Sequence, residues 1–78
     1  MKITEKKLDA WRQEGNYDNL IVALKEGMFN MRKIAADFLG EFENETVISA
    51  LIDAVNDKAT NVSDAAIQSL NSFNLSDE

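Results

Sequence analysis

The most constraining feature of this sequence is a repeat within itself. Asn30–Phe42 reads NMRKIAADFLGEF, and Asn61–Phe73 reads NVSDAAIQSLNSF. When 16–42 is set over 47–73, the match runs without a gap through two amphipathic segments and the turn between them. Packing, cap and turn positions agree while the positions between them differ, which is typical of two copies of a helix–turn–helix unit. The matched pairs include Leu20 with Leu51, Ile21 with Ile52, Ala23 with Ala54, Ala35 with Ala66, and Leu39 with Leu70.

The composition agrees with a small helical domain. The chain has 78 residues, which makes one domain near the lower size limit for a self-sufficient core. It contains no proline and three glycines, which suits helices and argues against a turn-rich β-sandwich. The apolar fraction of 45% is sufficient for a globular core. The sequence therefore predicts a single all-α domain.

Turn residues divide the first third of the chain into two predicted helices. The first spans Thr4–Gln13 and ends at Gly15, which is expected to be its C-cap. The second spans Tyr17–Glu26, and Gly27 is expected to end it.

Three asparagines are predicted to begin the remaining three helices. Asn30, Asn44 and Asn61 each precede an apolar segment with helical spacing, and asparagine is a favoured N-cap residue. The inward residues are expected to be Met31, Ile34, Ala35, Phe38, Leu39 and Phe42 in the third helix, and Val47, Ile48, Leu51, Ile52 and Val55 in the fourth.

These elements give the following organisation. Residues 1–15 form an N-terminal helix, 16–43 the first repeat and 44–73 the second repeat. Residues 74–78 form a short polar tail that is expected to be frayed.

The repeated unit resembles a known family. The first copy, LIVALKEGMFNMRKIAADFLG, and the second, LIDAVNDKATNVSDAAIQSLN, are similar to HEAT repeats, especially the short PBS-lyase-type variety. The resemblance covers Asn16–Phe73, although Ser63 stands in the second copy where the first copy has Arg32. It implies a short right-handed α-solenoid of two helix-hairpin repeats with an N-terminal capping helix. The second helix of each repeat would line its inner surface.

The same resemblance implies a structural role for one arginine. In such solenoids an arginine at the position of Arg32 and an acid from a turn form a ladder between helix ends. Glu26 and Asp57 are the two acids that could serve here. The alternative is that the guanidinium of Arg32 is offered to a carboxylate of a ligand.

The distribution of charge disfavours nucleic acid as a ligand. The formal net charge is −6, and Lys58 is the only basic residue after Lys33. Because duplex nucleic acids are bound mainly by lysine and arginine that neutralise phosphates, a nucleic-acid groove is not expected. An acidic surface of this kind suits a basic protein partner.

The sequence offers no set of residues for catalysis. It contains no histidine and no cysteine, which removes the commonest general base, the commonest metal ligand and any thiolate chemistry. Carboxylate pairs such as Glu41 with Glu45 are expected by chance in an acidic chain. No enzyme activity, metal or cofactor is therefore expected. No apolar segment is long enough for a membrane span or resembles a signal sequence, so a cytoplasmic protein is expected.

The predicted partner-binding surface consists of the sides of the third and fifth helices that lie opposite their apolar stripes. The third helix carries Ala36 and Gly40 on this side, and the fifth carries Ser72. Ile67 is an aliphatic residue among polar ones, and it either packs at the helix edge or contacts a partner. The candidate partner-binding residues are Lys33, Asp37, Glu41, Asp64, Ile67, Gln68 and Asn71.

One turn contains two large apolar residues. Met28 and Phe29 stand where the second repeat has Ala59 and Thr60. One of them is expected to cover the N-terminal helix near Trp11, and the other to be exposed.

Three functions remain open from the sequence. The first is a non-catalytic protein–protein interaction module. The second is a small acidic inhibitor or immunity protein that masks a basic toxin or nuclease. The third is a structural subunit that self-assembles. A homodimer through the end that carries Ile67 is expected to be weak and to tighten with salt, because a symmetric contact brings Asp64 close to its own copy.

Overall fold

Five helices follow one another along the chain and are joined by short turns. The computed structural model describes residues 2–73, so the predicted tail at 74–78 lies outside the described residues. Within 2–73 there is no strand, and the prediction of an all-α domain is confirmed there. No helix in that range is long and apolar enough to cross a membrane. The helices are α1 (Glu5–Glu14), α2 (Tyr17–Glu26), α3 (Phe29–Leu39), α4 (Glu45–Ala54) and α5 (Thr60–Ser72).

The first two helices end at their predicted glycines, and α1 is shifted by one residue from its predicted bounds, to Glu5–Glu14. The hydroxyl of Thr4 accepts a hydrogen bond from the backbone N–H of Lys7 at 3.2 Å, so Thr4 is the N-cap rather than the first helical residue. Gly15 is the C-cap with a φ of 72°, a left-handed conformation that glycine adopts without steric cost. The predicted bounds of α2 are correct, and Gly27 ends it.

Only one of the three predicted asparagine caps at the later helices is correct. The side-chain oxygen of Asn44 accepts from a backbone N–H three residues later at 2.9 Å. The predictions for Asn30 and Asn61 are wrong, because both residues already lie inside a helix. The N-cap positions belong to Met28 and Ala59, neither of which makes a side-chain cap hydrogen bond. The chain enters α3 and α5 without the polar residue that usually marks a helix start.

Each helix contributes one buried stripe to a common core. Helix α1 buries Leu8 alone, whereas α4 buries four residues. Helix α3 packs against all four other helices and therefore occupies the centre of the molecule. The two helices of each repeat pack against each other, as do α3 and α5 from the two repeats. The right-handed solenoid arrangement of these pairs stays a prediction. The largest fully buried side chains are Leu8, Leu20, Leu39, Leu51, Val47 and Val62.

Two residues lie on the opposite side of their helix from the predicted one. Ala36 was expected on the outer side of α3 but is 0% exposed, because α5 packs against that side. Ile52 was expected to point inward but is 54% exposed, because the buried stripe of α4 runs through Leu51 and Ala54 instead.

The apolar turn between α2 and α3 is also more open than predicted. Met28 is 73% exposed and Phe29 is 56% exposed. The expectation that only one of the two is exposed is therefore wrong, and the expected cover of α1 near Trp11 stays a prediction. Trp11 is half-buried and packs against the core.

Candidate binding surface

A paired arginine and aspartate join the two repeats at one end of α3. The Nε and Nη2 atoms of Arg32 donate to the two carboxylate oxygens of Asp57 at 2.9 and 3.0 Å. The Nη1 atom of Arg32 donates to the backbone oxygen of Gly27 at 2.9 Å. Among the described residues Glu26 is not a partner of this guanidinium. Of the two acids considered from the sequence, Asp57 is the one that contacts Arg32.

The electrostatics of this pair follow from its geometry. Hydrogen bonding from Arg32 holds the pKa of Asp57 below its usual value, although partial burial acts in the opposite direction. The backbone N–H of Ala59 donates to the same carboxylate at 2.9 Å and also lowers that pKa. Three N–H donors thus converge on Asp57. Because the pair is mostly buried and bidentate, it braces the junction between the repeats.

The second repeat does not reproduce this arginine. Ser63 stands at the corresponding position, and its hydroxyl donates to the backbone oxygen of Val55 at 2.7 Å. This hydrogen bond joins the start of α5 to the end of α4 within one repeat. No guanidinium is therefore available at this position to reach a further unit beyond α5.

Helices α3 and α5 approach each other through small residues. The hydroxyl of Ser69 donates to the backbone oxygen of Ala36 at 2.6 Å. A Cβ atom placed on Gly40 would lie 2.7 Å from that hydroxyl oxygen, which is shorter than a normal contact. A larger residue at position 40 would force Ser69 to move, so Gly40 and the buried Ala36 face α5 and not the predicted binding surface.

The predicted binding residues of α3 and of the turn after it form ion pairs with each other or with α1. The Nζ atom of Lys33 donates to the carboxylate of Asp37 at 2.7 Å, and both side chains are exposed. The carboxylate of Glu41 lies 3.8 Å from Nη1 of Arg12. These are surface ion pairs, which contribute little to stability. They leave a balanced charge on this side of α3.

The predicted binding residues of α5 are all exposed. Asp64, Gln68 and Asn71 are polar, and Ile67 is 41% exposed between them. Positions 64, 67, 68 and 71 are spaced by three and four, so these four residues lie on one side of α5. Within the described residues, none of them forms a hydrogen bond or ion pair with Lys33 or Asp37, which pair with each other.

A second apolar surface includes Ile67, and three of its five residues, Ile48, Ile52 and Val55, were predicted to point inward. We define the open edge as the apolar residues of α4 and α5 that face away from the first repeat. The Ser63–Val55 hydrogen bond places the two stripes side by side. Ile52 lies one turn before Val55, and Ile67 lies one turn after Ser63. The open edge consists of Ile48, Ile52, Val55, Ile67 and Leu70, of which the two named isoleucines are exposed and the other three are half-buried.

Comparison of the two repeats shows why this edge is unusual. Leu24, Ala36 and Leu39 of the first repeat are buried on the side where the second repeat packs. The corresponding residues of the second repeat are Val55, Ile67 and Leu70, all of the open edge. The same side of the helix pair is thus covered in one repeat and uncovered in the other.

The opposite end of the molecule is closed by a single helix. Helix α1 packs against both α2 and α3, with Leu8 buried and Trp11 half-buried three residues later. The guanidinium of Arg12 lies 4.9 Å from the ring centre of Phe38, a favourable cation–π distance. Arg12 also pairs with Asp9 at 2.6 Å, and this hydrogen bond lowers the pKa of Asp9.

The surface depressions are small. The groove between α2 and α4 has a volume of about 190 Å³ and is lined by Leu24, Lys25 and Asp53 among others. Small-molecule sites usually occupy about 300–1,000 Å³. Within residues 2–73, no three acidic side chains are grouped closely enough to hold a metal ion.

No protein-family model, curated protein or solved structure matches this chain. The candidate surface is therefore defined by the contacts and exposures of its own residues.

Proposed function

We propose that this protein is a non-catalytic protein–protein interaction module built from two HEAT-like helix pairs. The observation that carries the proposal is the open edge of the second repeat, whose counterpart in the first repeat is covered. Large aliphatic side chains exposed beside each other on a small domain are typical of a surface that another protein covers. The exposed polar residues Asp64, Gln68 and Asn71 adjoin Ile67 and would form the rim of the interface.

The proposal is tested by photo-crosslinking in the cells that produce the protein. A photoreactive amino acid is placed at position 67 in one variant and at position 22 in another. Val22 is the matched control, because it is 37% exposed but lies on α2. We expect one discrete protein adduct from position 67 and none from position 22.

Competition makes this experiment specific. Excess unlabelled wild-type protein should suppress the adduct, whereas excess Ile67→Ser protein should not. An adduct that both proteins suppress equally would show that the edge is not the binding surface. Circular dichroism melting of Ile67→Ser is measured alongside, since a half-exposed isoleucine contributes little to the core and the variant should remain folded.

An inhibitor of a basic toxin or nuclease is the second candidate function. The excess of acids after Lys33 favours it, because this part of the chain would complement a basic surface. The crosslinked partner decides between the two. If that partner is an enzyme that loses activity in the presence of the purified protein, the interaction module is an inhibitor.

A further inference from the structure

The open edge has a counterpart at the other end of the molecule, and that counterpart shows what can cover such an edge. There, α1 alone covers the outer side of the first helix pair. It does so with one buried leucine, a half-buried tryptophan three residues later, and an arginine that lies 3.8 Å from the carboxylate of Glu41, just after α3. One amphipathic helix is therefore sufficient to close one end of this fold.

The charge around the open edge is acidic. Glu45 lies on the same side of α4 as Ile48 and Ile52, because these residues are spaced by three and four. Asp64 lies one turn before Ile67 on α5. Both acids are exposed, and neither takes part in an ion pair within the described residues. The surface thus combines an aliphatic strip with unpaired negative charge at its borders.

A second copy of this chain fits the edge poorly. A two-fold contact through the open edge would bring together two copies of the same acidic borders, which repel each other. A third helix pair in the register of the second repeat also fits poorly, because Ile67 and Asn71 replace the small residues Ala36 and Gly40 that allow α5 to approach α3.

We infer that the open edge binds a single amphipathic helix of another protein, with aliphatic or aromatic residues on one face and lysine or arginine beside them. The apolar face packs on Ile52 and Ile67, and the basic residues pair with Glu45 and Asp64. This inference rests on the proposed function and names the class of partner. Helix-in-groove recognition of this type uses anchors spaced by three and four residues.

Two synthetic peptides test the inference. Both have about 18 residues, a length at which an isolated helix can form, and carry leucine and tryptophan at the same helical positions. The basic peptide has lysine and arginine beside the apolar face, and the acidic peptide has glutamate at those positions. Fluorescence anisotropy measures the binding of each peptide to the full-length protein.

Four protein variants locate the site. We expect Ile67→Ser and Ile52→Ser each to weaken binding of the basic peptide about tenfold. Val22→Ser and Phe29→Ser, which remove similarly exposed apolar side chains elsewhere, should leave the affinity unchanged. The acidic peptide should bind at least about tenfold more weakly than the basic one, and added salt should reduce this difference.

Several results would overturn the inference. Equal affinity for the two peptides would remove the charge argument, and equal loss in Val22→Ser would show non-specific adhesion. A dimer that Ile67→Ser abolishes, detected by light scattering, would assign the edge to self-association instead. If neither peptide binds while the photo-crosslink from position 67 persists, the interaction module stands and only the helix class of partner is wrong. If the crosslink is also absent, the proposed function fails with it.

Discussion

Arg32 and Asp57 are 25 residues apart in the sequence, yet their side chains meet through two nearly parallel hydrogen bonds of 2.9 and 3.0 Å. Both side chains are less than one quarter exposed. This geometry connects the start of α3 in the first repeat with the turn that precedes α5 in the second. The ion pair thus adds to the Ser69–Ala36 hydrogen bond and the apolar packing that join the two repeats.

The first prediction concerns that pair. Replacement of Arg32→Ala should lower the free energy of unfolding by about 1–2 kcal/mol, because Asp57 loses a bidentate, charge-assisted partner. Urea unfolding monitored by circular dichroism measures the change. Lys33→Ala is the control, since its exposed pair with Asp37 should contribute less than about 1 kcal/mol. An unchanged melting temperature together with lost partner binding would make Arg32 a contact residue instead.

The second prediction concerns the pH dependence of stability. The folded protein holds the pKa of Asp57 below the value in the unfolded chain, so the unfolded state takes up the proton first on acidification. The stabilisation by Asp57 is thus present above the unfolded pKa and is lost as the pH falls through the lowered folded pKa. The difference in unfolding free energy between wild type and Asp57→Asn should be largest near neutral pH and shrink below about pH 4.

Urea titrations at a series of pH values test this prediction. Asp37→Asn serves as the control for removal of one surface carboxylate, because Asp37 pairs only with an exposed lysine. A constant difference between wild type and Asp57→Asn at every pH would contradict the proposed stabilisation by the ionised carboxylate.

The third prediction concerns the close approach of α3 and α5. Gly40→Ala should destabilise the protein by about 1–3 kcal/mol, because the added Cβ would lie too close to the side chain of Ser69. In the double variant with Ser69→Gly the loss should be smaller than the sum of the two single losses. Gly15→Ala should also destabilise, through its positive φ, but it should show no coupling to Ser69→Gly. Additive effects at positions 40 and 69 would show that the Cβ added at position 40 does not clash with the Ser69 side chain.

The fourth prediction separates two asparagines that look alike in the sequence. Asn44→Ala should lower the free energy of unfolding by about 1 kcal/mol, because it removes an N-cap hydrogen bond. Asn61→Ala should change it by less than about 0.5 kcal/mol, because Asn61 is an exposed residue inside α5. Thermal melts of the two variants measured side by side check this difference. Equal losses of stability would show that Asn61 acts as an N-cap after all.

The helix count and several helix ends could be predicted from the sequence because local signals determine them. Gly15 ends α1 through its left-handed φ of 72°, Gly27 marks the end of α2 as a poor helix former, and the spacing of Leu20 and Leu24 identifies the buried side of α2. The starts of α3 and α5 could not be predicted this way. Met28 and Ala59 occupy their N-cap positions without a side-chain hydrogen bond, so no residue type marks them.

Whether an individual helix residue is buried or exposed depends on tertiary packing, and this was harder to predict from the sequence. Alanine occurs both on helix surfaces and in cores, so residue type does not show whether Ala36 is buried. It is buried because Ser69 of α5 packs against it. Ile52 matches Ile21 in the repeat and so was assigned to the core. It is exposed because the buried stripe of α4 runs through Leu51 and Ala54 instead.

The large residues at the open edge also limit how this chain could be lengthened. A gene duplication that added another copy of the second repeat would place Ile67 and Asn71 at a helix contact where the existing junction has alanine and glycine. The new helix would stand farther away, and no arginine would brace it. An engineered three-repeat array would need Ser63→Arg, Ile67→Ala and Asn71→Gly before the added unit could dock as α5 docks on α3.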